Sequence, residues 1–209
     1  LATTLDKIGV EIRSLQRTEI GEVEEAFGAK QVGSSTMPHK RNPIKSEQVC
    51  GLARIIRSSV EPAFQNNTLW DERDLTNSSP ERILFPEATI LTDHILKIMT
   101  SVLEDLNLKE DRIKQNLGML HGINMAESVM IELTKKGMGR QEAHEIIREK
   151  SMEALALQKP LSVLLTGTPE VTKYIPGPEI EKLLNPESYI GTSVEQVERV
   201  SKKLRSLYL

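Results

Sequence analysis

The chain has 209 residues, of which 38% are hydrophobic and 27% are charged, as is usual for a globular protein of one or two domains. Its formal net charge of −3 gives no electrostatic basis for binding nucleic acid or an anionic membrane. No apolar run reaches the ~18 residues that a membrane span requires. The single cysteine excludes an intrachain disulfide and fits a reducing cytosol.

The first predicted element is an amphipathic helix. Its apolar residues recur at steps of three and four, which places them on one face: Leu5, Ile8, Ile12 and Leu15. Because the chain begins within this pattern at Leu1, we interpret it as a segment of a longer protein. The acidic run that follows is predicted to be a solvated face or a helix cap, not a metal site: Glu22, Glu24 and Glu25.

A polar loop follows at residues 33–43, which read Gly-Ser-Ser-Thr-Met-Pro-His-Lys-Arg-Asn-Pro. Gly33 permits unusual backbone dihedrals, and Pro38 and Pro43 interrupt any helix and stiffen the segment. Backbone N–H groups, a lysine and an amide in one short loop suit an anion such as a carboxylate. The alternative from composition alone is an ordinary solvated connection.

Two further helical patterns come after this loop. The first begins at Ser46 and Glu47 and should kink or end at Pro62. Cys50 is predicted to be buried within it. The residues predicted to face inward are Val49, Leu52, Ile55, Ile56 and Val60. The second covers 81–106, with Ser79 as its predicted cap, and would be ~39 Å long. Helices of this length need neighbouring helices to bury their apolar stripes, so we predict a helix bundle. Helices of other subunits are one way to complete it.

Beyond residue 111 the predicted helices become shorter, and the last of them carries Val194, Val197, Val200 and Leu204. No useful length of chain alternates apolar and polar residues as a strand would. We therefore predict an all-α fold in two parts. Residues 1–112 form the C-terminal part of a long-helix bundle, and residues 113–209 form a smaller helical domain.

Two segments resemble a known enzyme family. Residues 33–43, followed by Ser46 and Glu47, resemble the signature of the fumarase/aspartase/argininosuccinate lyase superfamily. Fumarases usually carry Gly-Lys-Val-Asn in this loop and argininosuccinate lyases Gln-Lys-Lys-Asn, whereas residues 39–42 here read His-Lys-Arg-Asn. Residues 70–82 resemble the adenylosuccinate lyase branch. The resemblance covers nearly the whole chain and matches the C-terminal part of the family's proteins.

The resemblance implies a cytoplasmic lyase of purine biosynthesis. Such an enzyme eliminates fumarate from adenylosuccinate to give AMP, and from the succinylated aminoimidazole carboxamide ribotide formed earlier in the same synthesis. It implies a homotetramer whose active sites are shared between subunits. It implies no cofactor, no metal, and no nucleic acid or membrane partner.

The resemblance also implies roles for individual residues. Ser34 is the base, Lys40 and Asn42 bind the succinyl carboxylates, and Glu47 orients a catalytic histidine. The remaining substrate contacts are Ser35, Met37, Arg73, Ser78 and Arg82. Taken without the resemblance, these residues have ordinary alternatives: turn serines, an exposed loop cation, an Asx-turn, a first-turn helix acid, and arginines paired with Asp71, Glu72 or Glu81.

The general acid is expected to be a histidine upstream of residue 1, since none of the histidines present fits the motif: His39, His94, His121 and His144. The isolated segment is therefore expected to be inactive. Rival interpretations are an argininosuccinate or carboxymuconate-type enzyme of the same superfamily, or a non-catalytic helical oligomerisation fragment.

Overall fold

The computed structural model describes residues 1–26 and 41–208, and their secondary structure is almost entirely helical. The α-helices are α1 Ala2–Leu15, α2 Ile44–Ser58, α3 Val60–Gln65, α4 Ser78–Glu104, α5 Glu110–Gly118, α6 Ala126–Lys135, α7 Arg140–Leu157, α8 Leu161–Thr166, α9 Pro169–Thr172, α10 Gly177–Leu183 and α11 Ser193–Tyr208. Two 3-10 helices are Ile123–Met125 and Pro186–Tyr189. The predicted all-α fold is confirmed.

The chain divides into two compact units, Leu1–Ile113 and Lys114–Leu209. The core of the first unit lies between α1, α2 and α4, because each of these helices turns one apolar stripe inward. Its most buried residues are Ala2, Leu5, Ile12, Val23, Val49, Ala53, Ile95, Met99 and Val102.

Helix α2 runs antiparallel to both of its long neighbours. Near one end of α2, Arg57 donates a hydrogen bond to Asp6 at the start of α1, over 2.7 Å. Near the other end, the Gln16 side chain, just beyond α1, donates to the Arg41 carbonyl at 3.3 Å. Lys45 at the start of α2 donates to Ser101, close to the end of α4, at 3.0 Å. These contacts fix which ends of the three helices lie together.

Gly9 lies where α1 and α2 approach each other closely. A Cβ atom at this position would lie 2.8 Å from the Cys50 sulfur and 3.2 Å from the Ser46 carbonyl oxygen. The predicted buried thiol is confirmed, since Cys50 is 2% exposed. The two helices therefore pack closely because residue 9 has no side chain.

We expect Gly9→Ala to destabilise the chain by roughly 1–3 kcal/mol, because the added methyl overpacks the α1–α2 contact. The matched control is Gly51→Ala in the interior of α2, where a Cβ would meet nothing within 4 Å. That change should stabilise by about 0.5–1 kcal/mol through helix propensity. Urea unfolding of the wild type and both variants measures the two effects, and equal signs for both would contradict this account.

A short antiparallel ribbon closes the first unit. Strand β1, Val23–Glu24, pairs with β2, Asn107–Leu108, and the Lys109 N–H donates to the Glu22 carbonyl at 2.9 Å. Arg112 donates to the Ile20 carbonyl at 2.8 Å. Neither strand was predicted, because two residues are too few for an alternation of apolar and polar residues to show.

Two helix boundaries differ from the prediction. The break after α2 falls at Ser59 rather than at Pro62, which lies in the first turn of α3. A proline ring conflicts with the carbonyl of the residue four positions earlier, so the helix is interrupted before the proline itself. Helix α4 begins at Ser78 after Asn77, not after Ser79, and it continues through Pro86 to Glu104.

Several apolar side chains of the first unit lie exposed. Ile55 and Val60 were predicted to face inward, but they are 47% and 52% exposed. Other exposed apolar residues lie along α3 and the first half of α4: Phe64, Ile83, Phe85 and Ile90. Part of this surface forms an apolar groove that also includes Leu84 and Ala88.

The second unit has its own core, formed mainly by α6, α7, α8 and α10. Its fully buried side chains are Val129, Leu133, Ala143, Ala154, Leu161, Leu165, Val171, Ile175 and Ile180. The Ser128 hydroxyl on α6 donates to the Leu183 carbonyl at the end of α10 over 2.6 Å. The predicted last helix is present as α11, with its apolar stripe exposed to solvent.

Candidate functional site

The structure describes only some of the predicted site residues. Ser34, Ser35, Met37 and Lys40 lie outside the described residues. The others all belong to the Leu1–Ile113 unit, and they are Asn42, Glu47, Arg73, Ser78 and Arg82.

Asn42 and Glu47 lie at the N-terminal end of α2. Pro43 has φ −76° and ψ 65°, and the Ile44 N–H donates to the Asn42 carbonyl at 2.9 Å, which together define an inverse γ-turn. Asn42 is half-buried in this turn. Glu47 is exposed in the first turn of α2, and it forms no ion pair within the described ranges. Its carboxylate is therefore open to a partner near the positive end of the helix dipole.

The acidic run before the loop is buried rather than solvated. Glu24 is 8% exposed and forms ion pairs with Arg41 and with Lys109, the latter at 2.5 Å. Burial tends to raise the pKa of Glu24, but the hydrogen bonds from Lys109 and Arg41 outweigh it and lower that pKa below its usual value.

Glu25, 7% exposed, accepts hydrogen bonds from two backbone N–H groups in the first turn of α2. The acidic run was predicted to be either a solvated face or a helix cap, and Glu25 is a helix cap. Neither applies to Glu24. The sequence contains a signal for this cap. Pro43 precedes α2, and its side chain cannot accept a hydrogen bond from the first N–H groups of the helix, so the acceptor must come from another part of the chain.

Arg73 lies in the loop before α4, and Ser78 and Arg82 lie in the first two turns of that helix. Ser78 and Arg82 are four residues apart on that helix, so their side chains share one face. Arg73 lies in the preceding loop, and both arginines are exposed. The pairing of these arginines with Asp71, Glu72 or Glu81 is not found among the described residues; Glu81 accepts from the Asn77 amide instead. Two cations and a hydroxyl beside a helix N-terminus suit a phosphate group.

Asp74, for which the sequence predicted no role, organises the loop that carries Arg73. One carboxylate oxygen accepts from the Thr76 N–H at 2.8 Å and from the Thr76 hydroxyl at 2.6 Å. The other accepts from the Trp70 N–H at 2.9 Å. These bonds, first among them the one from the Thr76 hydroxyl, lower the pKa of Asp74 below its usual value. The Asp-x-Thr spacing is the local signal for this turn.

The two groups of candidate residues lie at opposite ends of α4. Asn42 and Glu47 flank Lys45, whose ammonium group contacts Ser101 near the C-terminal end of that helix. Ser101 follows Ser78 by 23 residues of the same helix, which amounts to about 35 Å along its axis. Within one chain, therefore, Asn42 and Glu47 do not converge with the phosphate-binding candidates on one small molecule.

Three histidines lie in the described ranges. His94 and His144 are exposed on helices, and His121 lies in the second unit with its Nε2 atom 3.1 Å from the Gln158 side-chain oxygen. Over residues 1–26 and 41–208, no three His, Cys, Asp or Glu side chains are grouped as metal ligands would be. No helix in those ranges is long and apolar enough to cross a membrane.

Two family models match the chain. The model described as adenylosuccinate lyase C-terminus matches residues 122–200, and the model described as lyase matches residues 1–57. The matches fall in different units and agree with the resemblance of the signature loop.

Curated relatives extend over nearly the whole chain. It is 54% identical over 200 residues to the adenylosuccinate lyase of Archaeoglobus fulgidus, covering 96% of this chain and 45% of that protein. It is 51% identical over 207 residues to the adenylosuccinate lyase of Methanocaldococcus jannaschii, covering 99% of this chain and 45% of the relative. The chain thus spans about half the length of the curated relatives it matches.

Solved structures share the fold. The 3-carboxy-cis,cis-muconate lactonizing enzyme of Pseudomonas putida superposes with a TM-score of 0.85 at 32% identity, over 98% of this chain and 46% of that one. A fumarate lyase from Mesorhizobium sp. BNC1 superposes with a TM-score of 0.79 at 27% identity, over 95% of this chain and 43% of that one.

Proposed function

Because this chain belongs to the adenylosuccinate lyase family, we propose that it provides part of the active site of an enzyme that releases fumarate from adenylosuccinate. The products are AMP and fumarate. The same elimination would act on the succinylated aminoimidazole carboxamide ribotide, which makes the enzyme one of cytoplasmic purine biosynthesis. The observation that carries the proposal is the joint presence of the loop signature at 33–43 and the 70–82 segment in a chain 54% identical to a named adenylosuccinate lyase.

The proposed chemistry is a β-elimination. A base removes a proton from the carbon beside a succinyl carboxylate, the carbon–nitrogen bond breaks, and a general acid protonates the departing nitrogen. Ser34 is the proposed base, and Lys40 and Asn42 hold the carboxylates whose negative charge grows in the transition state. Glu47 would orient the catalytic histidine, for which its exposed position on α2 leaves room. Ser35 and Met37 are proposed as further substrate contacts.

The proposed phosphate site consists of Arg73, Ser78 and Arg82. Arginine suits this role because its planar guanidinium group can donate two parallel hydrogen bonds to phosphate oxygens. The exposure of both arginines, and their freedom from ion pairs in the described ranges, support it. The helix N-terminus at Ser78 adds favourable electrostatic potential.

We further propose that active sites form between copies of the chain in a homotetramer. The ~35 Å between the carboxylate-binding and phosphate-binding candidates supports this, because one substrate needs both groups at once. The exposed apolar residues of α3 and α4 support it as well, since a surface of this kind is covered in a stable protein. On this proposal the chain both forms subunit contacts and contributes to catalysis, in contrast to the rival interpretation as a non-catalytic oligomerisation fragment.

The test of the proposal is a substrate panel given to the full-length enzyme. Adenylosuccinate should yield fumarate and AMP in equal amounts, whereas argininosuccinate and 3-carboxymuconate should not react. Ultraviolet absorbance of fumarate and chromatography of the nucleotide measure both products. The 209-residue chain alone should be inactive, because none of its histidines matches the family's general acid. Turnover of 3-carboxymuconate in place of adenylosuccinate would favour the activity named for the Pseudomonas putida neighbour.

We expect Asp74→Asn to raise KM for adenylosuccinate several-fold with little change in kcat. The asparagine side chain has one oxygen and one NH2 group, so its NH2 group would face the N–H of either Trp70 or Thr76 and that hydrogen bond would be lost. This loss loosens the loop that carries Arg73. Steady-state kinetics at neutral pH measure the change. Asp93→Asn is the control, since Asp93 is an exposed α4 acid that pairs only with Lys97 among the described residues.

The pH dependence of the Asp74 effect has a defined sign. Because folding lowers the pKa of this carboxyl below 3.8, its contribution is complete above pH 3.8 and is lost as the pH falls through the lowered value. Wild type and Asp74→Asn should therefore differ in stability at neutral pH and converge in acid. A difference that grows on acidification would contradict the assignment.

A further inference from the structure

The N-terminus of α2 is capped by a residue 20 positions upstream. One oxygen of the Glu25 carboxylate accepts from the Ser46 N–H at 2.7 Å, and the other accepts from the Lys45 N–H at 3.1 Å. These are the N–H groups that a local cap side chain normally satisfies, but the residue at that position is Pro43, whose side chain accepts nothing. A charged acceptor also interacts favourably with the helix dipole.

Glu25 is itself held in place from the other side. Its backbone N–H donates to the Gln16 side-chain oxygen at 2.9 Å, and the Gln16 side-chain nitrogen donates to the Arg41 carbonyl at 3.3 Å. Arg41 also forms an ion pair with Glu24. The end of α1, the acidic segment and the approach to α2 are therefore joined by one set of hydrogen bonds, with the Glu25 carboxylate nearly inaccessible to water.

Both described residues of the proposed carboxylate end lie beside the capped turn. Asn42 precedes it, and its carbonyl accepts from the Ile44 N–H. Glu47 follows it, and its N–H donates to the Pro43 carbonyl at 2.9 Å. A shift of the turn therefore moves both side chains together.

We propose that Glu25 is a positioning residue for catalysis, whose buried carboxylate fixes the first turn of α2 and thereby the locations of Asn42 and Glu47. This inference rests on the proposed function for the roles of Asn42 and Glu47. Glu25 would act through the turn that it caps and not by binding the substrate. Its effect on the reaction comes from geometry, and small displacements of catalytic groups reduce rates strongly.

The test compares Glu25→Ala and Glu25→Gln in the full-length enzyme. Alanine removes both acceptors, whereas glutamine keeps one acceptor and turns a donor toward the other N–H group. We expect kcat/KM for adenylosuccinate to fall about 10- to 100-fold in Glu25→Ala and less in Glu25→Gln. Amide exchange at Lys45 and Ser46, followed by mass spectrometry or NMR, should accelerate in the same order.

The control is Asp6→Asn, which removes the ion pair with Arg57 at the opposite end of α2. It should lower the unfolding temperature but leave kcat/KM per folded enzyme unchanged. If Glu25→Ala lowers the unfolding temperature equally and also leaves kcat/KM unchanged, Glu25 is only a stabilising residue and the inference is wrong. If Glu25→Ala fails to fold, the same comparison is made with Glu25→Gln.

The two proposals fail in different ways. A wild-type enzyme that releases no fumarate from adenylosuccinate refutes the proposed function, whatever the variants do. Exchange at Lys45 and Ser46 does not require turnover, so it still tests the cap. Unchanged exchange in Glu25→Gln would refute the positioning role even in an active enzyme.

Discussion

Replacing Ser34 with alanine in the full-length enzyme should reduce kcat by roughly 10²–10⁴-fold while leaving the Kd for adenylosuccinate nearly unchanged. The substitution removes one hydroxyl oxygen and keeps the loop backbone. A base accepts its proton only as the reaction proceeds, so its loss affects the transition state far more than the bound substrate. Stopped-flow detection of fumarate gives kcat, and calorimetry with the inactive variant gives Kd.

Ser35→Ala is the matched comparison, because it removes the same atom from the adjacent residue. Ser35 is proposed as a substrate contact, so its loss should act mainly on KM and by a smaller factor. Comparable losses of rate and binding in Ser34→Ala would instead indicate that Ser34 positions the substrate. A larger rate loss in Ser35→Ala would move the base to that residue.

The long helices could be predicted from sequence because their signal is local. The stripe with Leu5 and Ile12 follows from a 3.6-residue period, and the structure buries both residues. The same argument holds for Ile95 and Val102 on α4. An apolar stripe does not show which surface will cover it. Val60 belongs to such a stripe and was predicted to lie inward, but it is exposed.

The helix boundaries depend on competing neighbours and were predicted less well. Three consecutive polar residues, Asn77 to Ser79, can each cap a helix, and sequence alone favoured the last of them. In the structure the helix starts earlier, with the Asn77 amide donating to Glu81. A difference of one or two residues in this choice moved Ser78 from the loop into the first turn.

The buried acids could not be predicted, because their partners are distant along the chain. Glu24 pairs with Lys109, and Glu25 caps a turn 20 residues away. The local sequence Gly-Glu-Val-Glu-Glu is rich in acids and is typical of a solvated segment, since it carries no record of these partners. The motif resemblance identified the loop but not the residues that hold the start of α2.

The second large effect concerns recovery of activity by mixing two impaired variants. Ser34→Ala removes the proposed base in the 33–43 segment that leads into α2, and Arg82→Ala removes a proposed phosphate ligand. Ser101, which contacts the start of α2 through Lys45, lies 19 residues beyond Arg82 on α4, about 29 Å along the helix axis. We expect Arg82→Ala alone to lower kcat/KM by roughly 10- to 100-fold, as loss of a charge-assisted hydrogen bond does. If each active site takes these two residues from different copies, hybrid tetramers contain some sites with both residues intact.

Random assembly of equal amounts predicts that about a quarter of the sites are intact, so the mixture should regain up to about a quarter of wild-type activity. The variants are mixed in denaturant and refolded together, and fumarate release is compared with that of each variant refolded alone. The control mixture combines Ser34→Ala with Asn42→Ala. These residues are eight positions apart in one loop, so no assembly restores both to the same site and no activity should return. No recovery in the test mixture would mean that the phosphate and carboxylate ligands of a site come from a single copy, against the separation along α4. Recovery in the control would mean that Ser34 and Asn42 of one site come from different copies, which would contradict the proposed loop.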